Sequence, residues 1–213
     1  TQGVSSAASD VYKRQLVETA KLSKGQRVFI QAGSGGVGTF AIQLARHLGA
    51  TVATTTSAAN FELVRSLGAD VVIDYRTQDF EDVLHDYDVV LNSQDGKTLG
   101  KSLRVLKGGA KLVSISGPPD PAFGRNIAAP AFVRLVMRLL SSGIRRRARG
   151  RGIDYSFLFM RANGGQLREI TRLIEAGAIR PVVDKVFAFE STNEALAYSE
   201  AGHAKGKVVI KIR

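Results

Sequence analysis

The feature that most constrains this chain is a glycine-rich loop placed between a predicted strand and a predicted helix. Val28, Phe29 and Ile30 form a short apolar run that is typical of a buried strand. Three glycines then form the pattern G-x-G-x-x-G. After the loop, apolar residues recur at helical spacing: Val37, Phe40, Ala41, Leu44, Ala45 and Leu48.

Each glycine of such a loop has a physical role. One permits a tight turn, one lets the backbone approach a pyrophosphate, and one lets the helix pack closely on the strand. The start of the helix adds free N–H groups and the positive end of its dipole. The pattern therefore predicts dinucleotide binding, and the alternative is a tight turn without a ligand. The candidate residues are Gly33, Ser34, Gly35, Gly36, Val37 and Gly38.

Composition limits the class of protein and points to one unusual segment. No apolar run approaches the ~20 residues of a membrane helix, so we expect no membrane partner. The chain has no cysteine, which excludes disulfides and fits a cytoplasmic location. Its net charge of +11 comes largely from Pro121 to Ile153, where eight arginines occur without an acidic residue.

The first residues are not typical of a natural protein. Ser5–Gln15 reads SSAASDVYKRQ, which resembles the translation of a transposase sequencing adapter. We therefore expect residues 1–15 to be an artefact and exclude them from fold reasoning. The natural protein is then expected to begin upstream of this chain.

From Leu16 to Met160, strands and helices alternate at βαβ spacing. This alternation predicts an α/β fold with a doubly wound parallel sheet. Predicted strands lie at 28–30, 51–56, 71–73, 88–91, 111–116 and 155–160. Predicted helices lie at 16–22, 37–48, 60–67, 79–84, 98–106, 128–140 and 166–176. The remaining elements are strands at 182–189 and 207–212 and a helix at 193–200, a piece too small to have its own core.

Several short motifs together resemble the medium-chain dehydrogenase/reductase superfamily, in its zinc-independent, quinone oxidoreductase-like branch. The matching pieces appear in family order: Gly25–Val28, Ala32–Gly38, Leu67–Asp70, Ile73–Tyr75 and Gly206–Val209. The chain departs from the family pattern at Asn92–Gly96 and at Lys107–Ala110, which affects loop geometry.

The resemblance implies a Rossmann sheet of six parallel strands in the order 3-2-1-4-5-6. It places the dinucleotide-binding domain at residues 16–161. Residues 162–213 would be the C-terminal piece of a GroES-like catalytic domain, whose N-terminal part is missing from this chain. It implies an NADPH-dependent reductase of quinones, enones or alkenals, which transfers hydride from the nicotinamide to an electron-poor carbon. The fragment alone is expected to be inactive, and a homodimer is possible for the full-length parent.

Cofactor choice is set after the second strand. An NAD site places an acid roughly 20 residues beyond the first glycine. The stretch from Ala53 to Phe61 has no acid and offers threonines, Ser57 and Asn60, with Arg65 nearby. This composition favours NADP(H), because hydroxyl groups and a guanidinium can bind a 2′-phosphate. By resemblance, Ser57 and Tyr75 contact that phosphate, and Asn60 stands where relatives often have lysine. The alternatives are that Ser57 and the threonines are ordinary polar residues at the end of a strand, and that Tyr75 is an aromatic residue packed in a loop.

Ligands bind beyond the carboxyl ends of parallel strands, which adds candidates farther along the chain. These are Asn92 and Ser93, then Ser114, Ile115 and Ser116, then Phe157 and Phe159. The resemblance places backbone near both phenylalanines against the nicotinamide amide, and the alternative is that both belong to the core. It also places Gly206 and Lys207 near the cofactor phosphates, where a lysine could otherwise simply be solvated.

No catalytic residue can be assigned, and no metal site is predicted. His47, His85 and His203 are scattered and are expected at the surface. The expected substrate is a small carbonyl compound or quinone. A second hypothesis is nucleic-acid binding through Arg145–Arg151. The arginines of this segment could also bind an anionic membrane surface, and the alternative to both is a solvated helix end and loop. A third is a methyltransferase, which usually has an acid after the second strand that this chain lacks.

Overall fold

The computed structural model describes residues 14–158, 164–202 and 204–212. Residues 1–13, which are most of the expected artefact at residues 1–15, lie outside the described residues. Phe159, Met160 and His203 also lie outside the described residues. The structure therefore does not test their predicted roles.

Six parallel strands form the main sheet, in the order β3-β2-β1-β4-β5-β6. The strands are β1 (Arg27–Ile30), β2 (Thr51–Thr56), β3 (Val71–Asp74), β4 (Tyr87–Asn92), β5 (Leu106–Ser114) and β6 (Asp154–Phe157). The predicted doubly wound α/β fold and its strand order are therefore confirmed. A separate two-stranded parallel sheet pairs β7 (Val183–Ala188) with β8 (Lys207–Lys211).

The helices connect these strands. They are α1 (Arg14–Thr19, a π-helical turn), α2 (Gly38–His47), α3 (Phe61–Ser66), α4 (Gly96–Val105), α5 (Pro121–Asn126), α6 (Ala131–Leu140), α7 (Ser142–Arg149), α8 (Gly164–Glu175) and α9 (Thr192–Glu200).

Both faces of the main sheet are covered, because successive strand residues point to opposite sides. On β1, Val28 and Ile30 join the core cluster that includes residues of α1, α2, α3 and α8. Phe29 points the other way, into the cluster that includes residues of α4 and α7. The continuous apolar run of β1 thus reflects burial on two faces, as expected for a parallel sheet.

Several predicted elements differ from the structure. The helix predicted at 16–22 is a π-helical turn over Arg14–Thr19. The helix predicted at 79–84 is only a 3₁₀ turn over Phe80–Asp82. The helix predicted at 128–140 is wrong in its first turn, because Ala128 has a positive φ of 51° and Pro130 precedes α6. The fifth strand, predicted at 111–116, begins at Leu106 and ends at Ser114. Its register opposite β4 is irregular around Gly109, whose φ is 79°.

The arginine-rich segment Arg145–Arg151 also differs from the expected solvated helix end and loop. Most of it forms α7, which packs on the sheet through the buried Ala148. Its arginines are exposed or half-buried. The segment is therefore part of the folded domain.

Candidate functional site

A cleft of about 670 Å³ opens beyond the carboxyl ends of strands β1 to β4. This is the end of a parallel sheet at which α/β proteins bind ligands. Five of the predicted site residues line the cleft: Ser34, Gly35, Ser57, Asn60 and Tyr75. Its wall also includes residues that the sequence did not single out, among them Arg76, Asp79, Gln94, Lys97, Lys101 and Lys205.

The glycine-rich loop forms the floor of this cleft. Gly33 N–H donates to the Thr55 carbonyl at 2.9 Å, and Ala32 N–H donates to Thr55 Oγ1 at 3.2 Å. Gly35 lines the cleft, and a Cβ there would lie 3.3 Å from the Ala32 carbonyl. The loop is thus fixed against β2, with the Gly35 backbone at the cleft surface.

The other two motif glycines serve packing between the helix and the strands. A Cβ on Gly38 would lie 2.3 Å from the Ala32 carbonyl, and one on Gly33 would lie 2.2 Å from Thr54 Oγ1. Within the described part of the chain, the N–H groups of Ser34, Gly36 and Val37 donate no backbone hydrogen bond. The loop therefore presents free donors at the start of α2, an arrangement that suits an anionic group.

A polar network joins the loop to the end of β2. Ser34 Oγ accepts from Thr56 Oγ1 at 2.9 Å and from Asn60 Nδ2 at 3.3 Å. Asn60 Nδ2 also donates to Ser57 Oγ at 3.2 Å. The predicted residues Ser34, Ser57 and Asn60 are therefore brought together at one end of the cleft. This end offers hydroxyl and amide groups.

Tyr75 and Arg76 form the facing wall. The Tyr75 side chain is 60% exposed, so it is not a packed loop aromatic. The Arg76 guanidinium carbon lies 5.7 Å from the centre of the Tyr75 ring. Arg76 N–H donates to Asp74 Oδ1 at 2.9 Å, which anchors the backbone of this loop.

Arg76 lines the cleft although it was not among the residues predicted from the sequence, which pointed to Arg65 instead. Arg65 does not line the cleft, and its guanidinium carbon lies 5.6 Å from the centre of the Phe61 ring. Arg76 directly follows Tyr75, which the sequence had marked. The position of Arg76 next to that tyrosine is the sequence signal that could have identified it.

The carboxylates that line the cleft are already engaged. Asp79 forms an ion pair with Lys101, which holds the pKa of the Asp79 carboxyl below its usual range. Asp95 caps α4 by accepting from Thr98 N–H at 2.8 Å, and this bond lowers the pKa of the Asp95 carboxyl. Among the described residues, no ion pair includes Arg76, Lys97 or Lys205. The cleft therefore has a cationic excess.

The predicted tail residues meet the glycine-rich loop from the other side. Gly206 N–H donates to the Ser34 carbonyl at 2.9 Å. A Cβ on Gly36 would lie 3.4 Å from Lys207 Nζ, and that ammonium lies 5.6 Å from the centre of the Phe40 ring. Burial lowers the pKa of Lys207 to about 8. Its charge is therefore held near the loop without a carboxylate partner among the described residues.

The remaining candidates support the sheet end and do not line the cleft. Asn92 is fully buried, and its Nδ2 donates to Ser114 Oγ at 3.0 Å and to Ser116 Oγ at 3.3 Å. The ring of Phe157 packs edge-on against Phe123, with 5.0 Å between the centroids. Phe157 N–H donates to Asp120 Oδ2 at 2.9 Å, so this group is engaged within the protein.

Metal ligands are a further question, because the sequence predicts no metal site. Among the described residues, no three His, Cys, Asp or Glu side chains form a group that could hold a metal ion. The chain also contains no cysteine. These residues do not fit a zinc site.

Comparison with known proteins agrees with the fold. The family model for zinc-binding dehydrogenases matches residues 67–210. The chain is 36% identical over 206 residues to the mitochondrial NAD(P)H oxidoreductase RTN4IP1 of Danio rerio, covering 92% of this chain and 53% of that protein. It is also 36% identical to the chloroplastic NADPH-dependent alkenal/one oxidoreductase of Arabidopsis thaliana, covering 92% of this chain and 42% of that protein.

Among solved structures, the quinone oxidoreductase of Coxiella burnetii superposes with a TM-score of 0.78 at 26% identity. The match covers 98% of this chain and 59% of that one. The chain thus spans about half the length of the curated relatives it matches. Because the family match extends over more than half of its residues and the fold agrees, the chain belongs to the zinc-binding dehydrogenase family of the medium-chain dehydrogenase/reductase superfamily, in its quinone oxidoreductase-like branch.

Proposed function

We propose that this chain is the NADP(H)-binding part of a reductase that acts on quinones, enones or alkenals. The relatives support the reaction class, since their names include NADPH-dependent alkenal/one oxidoreductase and quinone oxidoreductase. NADPH, when bound, supplies the hydride for an electron-poor carbon of the substrate. The residues of this chain bind and orient the cofactor.

The observation that carries the proposal is the chemistry at the β2 end of the cleft. Ser34, Ser57 and Asn60 present hydroxyl and amide groups there, and Arg76 adds a guanidinium. These groups suit the 2′-phosphate of NADPH, because charge-assisted hydrogen bonds to phosphate are strong. An NAD site would instead present a carboxylate to the ribose hydroxyls.

In this proposal each group has one task. The free N–H groups of Ser34, Gly36 and Val37 hold the pyrophosphate, and Gly35 permits its close approach. Lys207 adds a positive charge beside the same loop. Asn92, Ser114 and Ser116 hold the ends of β4 and β5 in place through their hydrogen bonds.

The test is fluorescence titration with NADPH and NADH. We expect NADPH to bind at least about tenfold more tightly, a difference of about 1.4 kcal/mol. The variant Arg76→Gln should remove most of this preference, because it deletes the guanidinium that lines the cleft next to Tyr75. Arg65→Gln is the matched control and should leave the preference unchanged, since Arg65 lies outside the cleft. Equal affinities in the unmodified chain would refute the proposal.

Turnover is proposed to need residues beyond this chain, which spans about half the length of its curated relatives. In this proposal residues 16–161 bind the cofactor, and residues 162–213 contribute to a catalytic domain. We expect negligible NADPH oxidation with a small quinone by the chain alone. A chimera that adds the N-terminal half of the Danio rerio relative should restore it. Turnover by the chain alone at the rate of the chimera would contradict this expectation.

The cellular location and the oligomeric state remain predictions. The cytoplasmic location rests on the lack of cysteine, whereas the two curated relatives described are mitochondrial and chloroplastic proteins by name. The homodimer of the full-length protein rests on the family resemblance. Gel filtration of the chimera would test that dimer.

A further inference from the structure

Helix α6 has an exposed apolar stripe that no described part of the chain covers. Its members recur at i, i+3, i+4, i+7 and i+8, so they share one face of the helix. Each of these five side chains is between 45% and 70% exposed: Phe132, Leu135, Val136, Leu139 and Leu140. The side of α6 that carries Arg134 and the half-buried Met137 contacts the domain at Gly124, where a Cβ would lie 2.9 Å from Met137 Sδ and 3.1 Å from Arg134 Cγ. The wider apolar side of this amphipathic helix therefore faces outward.

The helix that carries the stripe and the helix that follows it are strongly basic. Arg134 and Arg138 are exposed on α6 itself, and α7 follows it with four arginines. None of these arginines forms an ion pair with a residue in the described part of the chain. No acidic residue occurs from Pro121 to Ile153 that could neutralise them. The surface therefore combines uncovered apolar area with unneutralised positive charge.

We propose that α6 and α7 form a docking surface for an anionic lipid membrane. An amphipathic helix that has arginines on its polar side and a stripe of Phe, Leu and Val on the other side binds at the headgroup boundary, where both of its components are satisfied. A nucleic acid would engage the arginines through its phosphates and leave the stripe in water. A second copy of this chain would bring two surfaces of like charge together, which disfavours association.

This surface is separate from the cofactor cleft, because no residue of α6 or α7 lines that cleft. The inference therefore does not depend on the proposed reductase function. Among the described residues, no helix has the length and apolar content to cross a membrane. Docking at the surface needs no such helix. The inference thus revises the sequence-based expectation of no membrane partner, which rested on the lack of a spanning segment.

The test is co-sedimentation of the full chain with phosphatidylcholine vesicles, with and without about 30% phosphatidylserine. We expect binding to the anionic vesicles only, weakening as salt is raised. The double variant L135Q/L139Q should weaken binding by about tenfold or more, because it removes apolar area. The double variant R134Q/R138Q should weaken it by a similar factor, because each arginine near an anionic surface contributes about fivefold.

The matched control is Leu196→Gln on α9, since Leu196 and Leu135 are both 55% exposed. This variant should bind vesicles as the unmodified chain does. Circular dichroism checks that every variant is folded, and the salt dependence of the unmodified chain tests the charge argument without any variant. Equal binding to neutral and anionic vesicles would overturn the proposal. So would unchanged binding by both α6 variants, or capture of RNA or an acidic protein in place of vesicles.

Discussion

The backbone N–H of Gly206 donates to the carbonyl of Ser34 at 2.9 Å and joins the C-terminal segment to the glycine-rich loop. The next residue, Lys207, donates its N–H to the Val182 carbonyl at 2.8 Å. The start of β8 is therefore held between the loop and the residue before β7. This contact brings together two motifs that are far apart in the sequence.

Substitution of Gly206 should loosen this junction. Gly206 has a φ of 88°, and a Cβ there would lie 2.3 Å from the Val182 carbonyl. We expect Gly206→Ala to destabilise the fold by about 3 kcal/mol or more, since strain and a backbone clash act together. The control is Gly177→Ala, where φ is 71° but the space is open, which should cost only about 1–2 kcal/mol. Urea denaturation measures both, and equal losses would contradict this account.

The glycines of the loop should separate binding from folding. Gly35→Val adds a side chain at the cleft surface, with only the Ala32 carbonyl nearby, so we expect a folded protein that does not bind NADPH. Gly38→Ala should instead destabilise the fold, because its Cβ would lie 2.3 Å from that same carbonyl. Circular dichroism and cofactor titration distinguish the two effects. Retained NADPH binding by Gly35→Val would mean that the loop is only a turn.

A carboxylate at Ser57 should reverse cofactor preference. Ser57 lines the cleft beside Asn60, so Ser57→Asp would repel a 2′-phosphate while accepting from ribose hydroxyls. We expect NADPH affinity to fall by about tenfold or more, or about 1.4 kcal/mol, with NADH affinity maintained or raised. Ser66→Asp, on α3 and outside the cleft, controls for the change in net charge. An unchanged ratio of the two affinities would place the phosphate elsewhere.

Lys207 should make cofactor binding and stability depend on pH. Its pKa of about 8 means that the folded protein loses this charge as pH rises through 8, so NADPH affinity should fall there. The unfolded chain, with an ordinary lysine pKa of about 10.4, still binds the proton, so stability should rise between pH 8 and 10. Lys207→Met should remove both effects and stabilise the chain at pH 7, by about 1–3 kcal/mol. Calorimetry and titration across this range provide the check.

The sequence by itself determined the architecture. Alternating apolar runs and helical periods specify a parallel sheet with both faces covered, since only such a sheet buries strands as apolar as β1. The glycine pattern located the loop, and the family motifs predicted the strand order that the sheet has. Local patterns suffice for these features because they follow from backbone geometry and from burial along single elements.

Only the tertiary structure decided which distant side chains share the cleft. Strands β2 and β3 are neighbours with Thr56 opposite Asp74, so Ser57 and Tyr75 follow adjacent strand ends and Arg76 lines the cleft with them. Arg65 is nearer to Ser57 in sequence, but it lies on α3 outside the cleft. Helical periodicity likewise identified the apolar side of α6 but not its exposure, because a period describes one helix and burial depends on what packs against it.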